Sequence, residues 1–217
     1  MNKYTGVLGV YNCQGAAWNT TERKCTFHQT KSDSLTGFIR GRDVHLIAEA
    51  STEPNWNGDC AVYCHRSGEL TILPYNTALP VSLEVLEHDI FTVTPIKVLA
   101  PGFGFAPLGL INMFNAGGAI EGLRYEVKVG GAQLLELESG HEGERVENNS
   151  SELVGIVHLE VKGCGKFGAF SLARPRRCKV DSNVVDFVYD SESGLVTLSL
   201  DQLAEEGQKV HFVEVEL

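Results

Sequence analysis

Apolar and polar positions alternate along most of this chain. Short runs with apolar or β-branched residues at every second position are closed by Gly, Pro, Asn or Asp, as half-buried strands are. The first run lies within Tyr4 to Trp18, and residues 19–34 then read as polar and irregular. Leu35 to Arg40 reads as a short strand, and Val44 to Ala48 as a helical turn capped by Asp43. Cys60 to Arg66 and Glu69 to Tyr75 form an expected hairpin closed by Ser67-Gly68. Val81 to Leu86 and Ile90 to Leu99 read as a second pair, turning at residues 87–89. Pro101 to Pro107, rich in Gly, Pro and Phe, reads as a crossing segment, followed by extended runs from Leu108 to Phe114 and from Ala119 to Leu137. Residues 138–152 are acidic and rich in Gly, Asn and Ser, the signature of a flexible loop. Beyond them Leu153 to Val161 alternates strongly. Val184 to Tyr189 and Leu195 to Leu200 suggest a hairpin around residues 191–194, and Val210 to Val215 suggests a closing strand.

About a dozen short strands, with turn signals every 8–12 residues or so, predict an all-β antiparallel β-sandwich with little helix. The regularity continues on both sides of 138–152. Residues 1–217 are therefore expected to form a single domain with a flexible acidic loop inside it.

The composition fits a globular chain, with 43% hydrophobic and 21% charged residues. A net charge of −10 argues against a nucleic-acid partner, because phosphate backbones select basic faces. Nothing approaches the roughly 18 consecutive apolar residues of a membrane span, so no membrane partner is expected. The six cysteines include no C-x-x-C pair, which removes the common zinc and redox spacings. On an extended strand Cys60 and Cys64 would lie about 13 Å apart, beyond disulfide reach. Free thiols in a reducing, cytoplasmic compartment are expected, with no metal site and no cofactor.

Several blocks carry a resemblance to a known family. They are Gly9-Val10-Tyr11-Asn12-Cys13-Gln14-Gly15-Ala16-Ala17-Trp18, Gly58-Asp59-Cys60-Ala61-Val62-Tyr63 and Phe105-Ala106-Pro107-Leu108-Gly109-Leu110-Ile111-Asn112-Met113. Gly117-Gly118-Ala119-Ile120-Glu121, Gly163-Cys164-Gly165-Lys166-Phe167-Gly168 and Arg174-Pro175-Arg176-Arg177-Cys178 complete the set. In this order they resemble the plant raffinose synthase and seed imbibition family of galactinol–sucrose galactosyltransferases and alkaline α-galactosidases. In that family the first block lies just past a catalytic (β/α)8 barrel. The resemblance implies that this chain is the carboxyl-terminal part of a larger enzyme, with the barrel upstream of Met1 as its partner. It also implies α-galactosides of the raffinose series as the parent's substrates. Retaining galactosyl transfer needs two carboxyl groups about 5–5.5 Å apart. The motifs that flank the family's two aspartates are absent here, so no catalytic residue is assigned.

Candidate substrate contacts are Trp56, Asp59 and Trp18. Trp56 lies among Asn55, Asn57 and Asp59, an aromatic ring beside hydrogen-bonding side chains, which suits a sugar. The same ring also suits a plug at a sandwich edge, and Trp18 suits packing against the barrel. The expected function is a supporting β-sandwich without activity of its own. An alkaline α-galactosidase fragment and a free-standing carbohydrate-binding module are the alternatives.

Overall fold

The computed structural model describes residues 2–27, 34–51, 56–129, 132–135, 153–201 and 210–217. It is all-β. Nineteen strands and three short helical turns occur among the described residues, against the dozen strands expected, because bends and bulges divide the longer runs. Every pairing is antiparallel.

Three sheets make the body. The amino-terminal sheet has the spatial order Gly6–Tyr11, His88–Pro95, Cys60–Cys64, Leu70–Leu73. The middle sheet runs Val188–Asp190, Leu195–Ser199, Lys166–Ser171, Phe103–Leu110, Lys97–Ala100. The carboxyl-terminal sheet runs Ala132–Leu135, Ile120–Val129, Leu153–Lys162, Val210–Glu216, Arg177–Val180, Asn183–Val185. Two further pairs, Ala16–Asn19 with Lys24–Phe27 and Ser34–Ile39 with Leu79–Glu84, form separate two-stranded sheets.

The sheets are stacked by their apolar faces. Val157, Leu159 and Val161 of the carboxyl-terminal sheet meet Phe105, Phe167 and Val196 of the middle sheet in the largest core. On its other side the middle sheet presents Ala106, Leu108 and Phe170 to Ala61, Tyr63 and Leu70 of the amino-terminal sheet. The far face of the amino-terminal sheet, with Val62, Phe91 and Val93, is closed by Ile39, Val81, Leu83 and the helical segment bearing Val44 and Ile47. Each large apolar side chain removed from water contributes about 1.5–3 kcal/mol.

Phe103–Leu110 serves two of these cores, with Phe105 and Leu110 in one and Ala106 and Leu108 in the other. The sequence suggested a crossing segment over Pro101 to Pro107, from its richness in Gly, Pro and Phe, and a separate extended run from Leu108. The structure places a central strand instead, and a strand buried on both faces has no polar alternation to show. Its proline is accommodated because the pairing with Lys166–Ser171 slips between Pro107 and Gly109. Gly109 sits there at φ +96, and a Cβ on it would lie 2.1 Å from the carbonyl oxygen of Ala116.

Other local expectations change too. Residues 19–34 are not wholly irregular, since Lys24–Phe27 pairs with Ala16–Asn19. The two runs on either side of residues 87–89 do not pair with each other. Leu79–Glu84 joins Ser34–Ile39, whereas His88–Pro95 lies between Gly6–Tyr11 and Cys60–Cys64. Leu108 to Phe114 is not one run, because the strand ends at Leu110 and a turn follows. Asn183–Val185 and Val188–Asp190, read as one strand, belong to different sheets. Asp43 does not cap the turn at Ile47–Ala50, and its carboxylate accepts from the Arg40 N–H at 2.8 Å instead. The acidic loop 138–152 lies outside the described residues.

Candidate functional site

Of the three residues expected to touch a ligand, the structure brings two together. Trp56 and Asp59 sit in the loop entering Cys60–Cys64, and the half-buried Trp56 ring packs against the core cluster that includes Val62 and Leu73. Its Nε1–H donates to the backbone carbonyl of Asp59 at 3.0 Å. The Asp59 carboxylate accepts from the backbone N–H of Tyr75 at 3.2 Å and from Asn57 Nδ2 at 2.8 Å, while Asn57 Oδ1 takes the Asp59 N–H. The polar groups that could grip a hydroxyl are thus already joined to one another. Trp18 is elsewhere, on the separate hairpin opposite Cys25, and 61% exposed.

A cleft that the sequence did not disclose lies on the amino-terminal sheet. The face that carries Ala61 and Tyr63 into the interior continues outward to Val7, Gly9 and Tyr11, where the middle sheet no longer covers it. Tyr11 stands directly across from His88, and the two rings stack with centroids 5.6 Å apart. Gly9 leaves room for the Tyr11 ring, whose edge comes within 3.1 Å of where a Cβ would be. Phe114, in the turn after Leu110, overhangs the same surface and is 66% exposed.

Phe114 divides the surface into two hollows that share Ile90. One, of about 480 Å³, lies between Tyr11, Val7 and the linked side chains of Asn2 and Asn115. The other, of about 350 Å³, is bounded by His65, Arg66, His88 and Asp89. His65 meets Phe114 and Tyr63 edge-on and shares a 2.8 Å hydrogen bond with the Thr92 hydroxyl. Burial pushes the His65 ring below its ordinary proton affinity, against the pull of nearby Asp89. Arg66 is tied to Glu87, to the His88 carbonyl and, at 3.8 Å, to Asp89. The cleft is therefore an aromatic and apolar surface with its charges neutralised at one end. It suits a protein surface or a flat apolar ligand better than an ion.

Among the described carboxylates, three have a clearly displaced proton affinity. These three, Glu87, Asp190 and Glu214, are all displaced downward. The causes are hydrogen bonds from Glu84 N–H and Arg66 to Glu87, from Ser193 to Asp190, and from Lys179 to Glu214. A glycosidic general acid needs the opposite displacement. No grouping of three or more metal-ligating side chains occurs among the described residues, and no described helix is long and apolar enough to cross a membrane.

Comparison with known proteins agrees with the blocks read from the sequence. Residues 1–200 match the profile of the family described as raffinose synthase or seed imbibition protein Sip1. A probable galactinol–sucrose galactosyltransferase 6 of Arabidopsis thaliana is 58% identical over the whole chain and 26% of its own length. A probable galactinol–sucrose galactosyltransferase 1 of the same plant is 39% identical over 92% of this chain and 24% of its own. A stachyose synthase of Pisum sativum is 26% identical over 86% of this chain and 19% of its own. The chain spans between about a fifth and a quarter of the length of these relatives.

Proposed function

The chain belongs to the raffinose synthase or seed imbibition protein family, and we propose that it serves as the supporting β-sandwich of a galactinol–sucrose galactosyltransferase. Galactosyl transfer between α-galactosides is carried out in this reading by a catalytic (β/α)8 barrel outside these residues. The sandwich packs on that barrel and has no turnover alone. The acceptor is sucrose, and an alkaline α-galactosidase parent would use water instead.

The observation that carries the reading is the uncovered aromatic surface of Tyr11, His88 and Phe114. Large apolar rings held in water on a sheet face are a poor use of burial energy unless another surface covers them. The net charge of −10 supports a partner other than nucleic acid. The free cysteines support a reducing, cytoplasmic setting.

Two measurements test it. The 217-residue chain is assayed with galactinol plus sucrose and with an aryl α-galactoside, and clear turnover sinks the proposal. The chain is also mixed with an Arabidopsis relative lacking its matching quarter. Complex formation is expected with the native chain and lost in a Tyr11→Ser, Phe114→Ser double variant.

A further inference from the structure

We propose that the outer face of the carboxyl-terminal sheet carries a binding groove for a neutral oligosaccharide. The proposal stands apart from the docking role of the amino-terminal sheet, since it uses the opposite end of the stack and different residues.

The groove has a volume of about 540 Å³, within the range that takes small-molecule ligands. Its floor is Gly122, where the pairing of Ile120–Val129 with Leu153–Lys162 slips by a residue. A Cβ at Gly122 would lie 2.9 Å from the Glu160 carboxyl carbon, so the missing side chain is what lets Glu160 lie across the floor. Opposite Glu160 in the register stands Phe212, 61% exposed in the interior of a six-stranded sheet. A ring in that position presents a flat apolar platform beside a carboxylate, and among the described residues it joins none of the buried cores.

The wall of the groove is a straight row across four strands: Arg124, His158, Glu214 and Lys179 are successive cross-strand neighbours. Their charges are internally matched. Arg124 pairs with Glu126 at 3.1 Å and Lys179 with Glu214 at 2.6 Å, while His158 lies 3.5 Å from Glu126 and 3.7 Å from Glu214. A phosphate or carboxylate ligand would have to displace these pairs. A neutral polyhydroxylated ligand would not, because fixed guanidinium, ammonium and carboxylate groups offer donors and acceptors together to neighbouring hydroxyls. The exposed ring then takes the apolar C–H face of a pyranose. Platform, matched polar wall and glycine floor occur together nowhere else among the described residues.

Titration calorimetry of the 217-residue chain with raffinose, with maltotriose and with inorganic phosphate tests this. The expected result is heat with at least one of the two sugars. That affinity should be weakened at least tenfold in Phe212→Ala and several-fold in Arg124→Gln, and unchanged in Phe114→Ala. Phe212 is exposed, so its variant should keep the native near-ultraviolet circular dichroism. Silence with both sugars at tens of millimolar overturns the proposal. So does sugar binding indifferent to Phe212→Ala, or binding of phosphate in place of sugar.

Discussion

Trp56 gives its indole N–H to the backbone carbonyl of Asp59, and the same oxygen accepts the N–H of Ile96 at 2.9 Å. The ring therefore locks the entry loop to the strand that leaves the amino-terminal sheet. Trp56→Phe keeps most of the packing and loses the hydrogen bond, at a cost of about 1 kcal/mol. Trp56→Ala also empties the space against the core cluster it packs on and should cost about 2–3 kcal/mol, less than a fully buried ring. Urea unfolding followed by fluorescence of the remaining tryptophan and by circular dichroism reads both. Equal losses in the two variants would show that the ring contributes no packing.

Gly109 is a second fixed point. At φ +96, with the Ala116 carbonyl 2.1 Å from any added Cβ, Gly109→Ala must move the backbone of Phe103–Leu110 or of the turn beyond it. A loss on the order of 3 kcal/mol is expected. Gly37→Ala, where no atom lies within 4 Å of the added carbon, is the matched control and should stay within about 0.5 kcal/mol.

His65 predicts a pH dependence. Its folded affinity for a proton lies below the ordinary value of 6.5, chiefly through burial, so the unfolded chain binds the proton more readily. Stability contributed by the neutral ring is complete above that ordinary value and is lost as the pH falls from there toward the lower folded value. His65→Gln retains a partner for Thr92 and removes the titration. Between about pH 7 and pH 5 the native chain should lose more stability than the variant. Parallel slopes would refute the assignment.

The thiols should divide by position. Cys13, Cys25 and Cys164 are exposed, Cys64 is half-buried, and Cys60 and Cys178 are buried. Burial pushes the Cys60 and Cys178 thiols up to about 12. Iodoacetamide at mildly alkaline pH should modify Cys13, Cys25 and Cys164 within minutes, as read by peptide mass spectrometry. Cys60 and Cys178 should react only in denaturant, since the thiolate is the nucleophile. Rapid modification of Cys60 in buffer would show that the amino-terminal sheet opens readily.

The sequence made legible those strands that have one wet face. Leu153–Lys162 and Val210–Glu216 alternate because His158, Glu160 and Phe212 look outward while Leu159, Val161 and Val213 enter the core. Phe103–Leu110 was hidden because both of its faces are buried. Pairings between distant strands were hidden as well, since local turn signals cannot report that Leu79–Glu84 joins Ser34–Ile39. The nearness of Trp56 and Asp59 was legible from their spacing. The aromatic cleft was not, because only the register of Tyr11 against His88, and a turn more than a hundred residues from Tyr11, assemble it.

The double burial of Phe103–Leu110 has a consequence for the order of synthesis. As the chain leaves the ribosome, the amino-terminal sheet can pair its four strands once His88–Pro95 has emerged. Its inner face, with Ala61, Tyr63 and Leu70, then waits for Leu108 and, some sixty residues later, for Phe170. At roughly 5–20 residues per second, that interval leaves a sticky surface bare for seconds. A nascent chain halted in this window should be a strong client for holding chaperones, and a finished one should not.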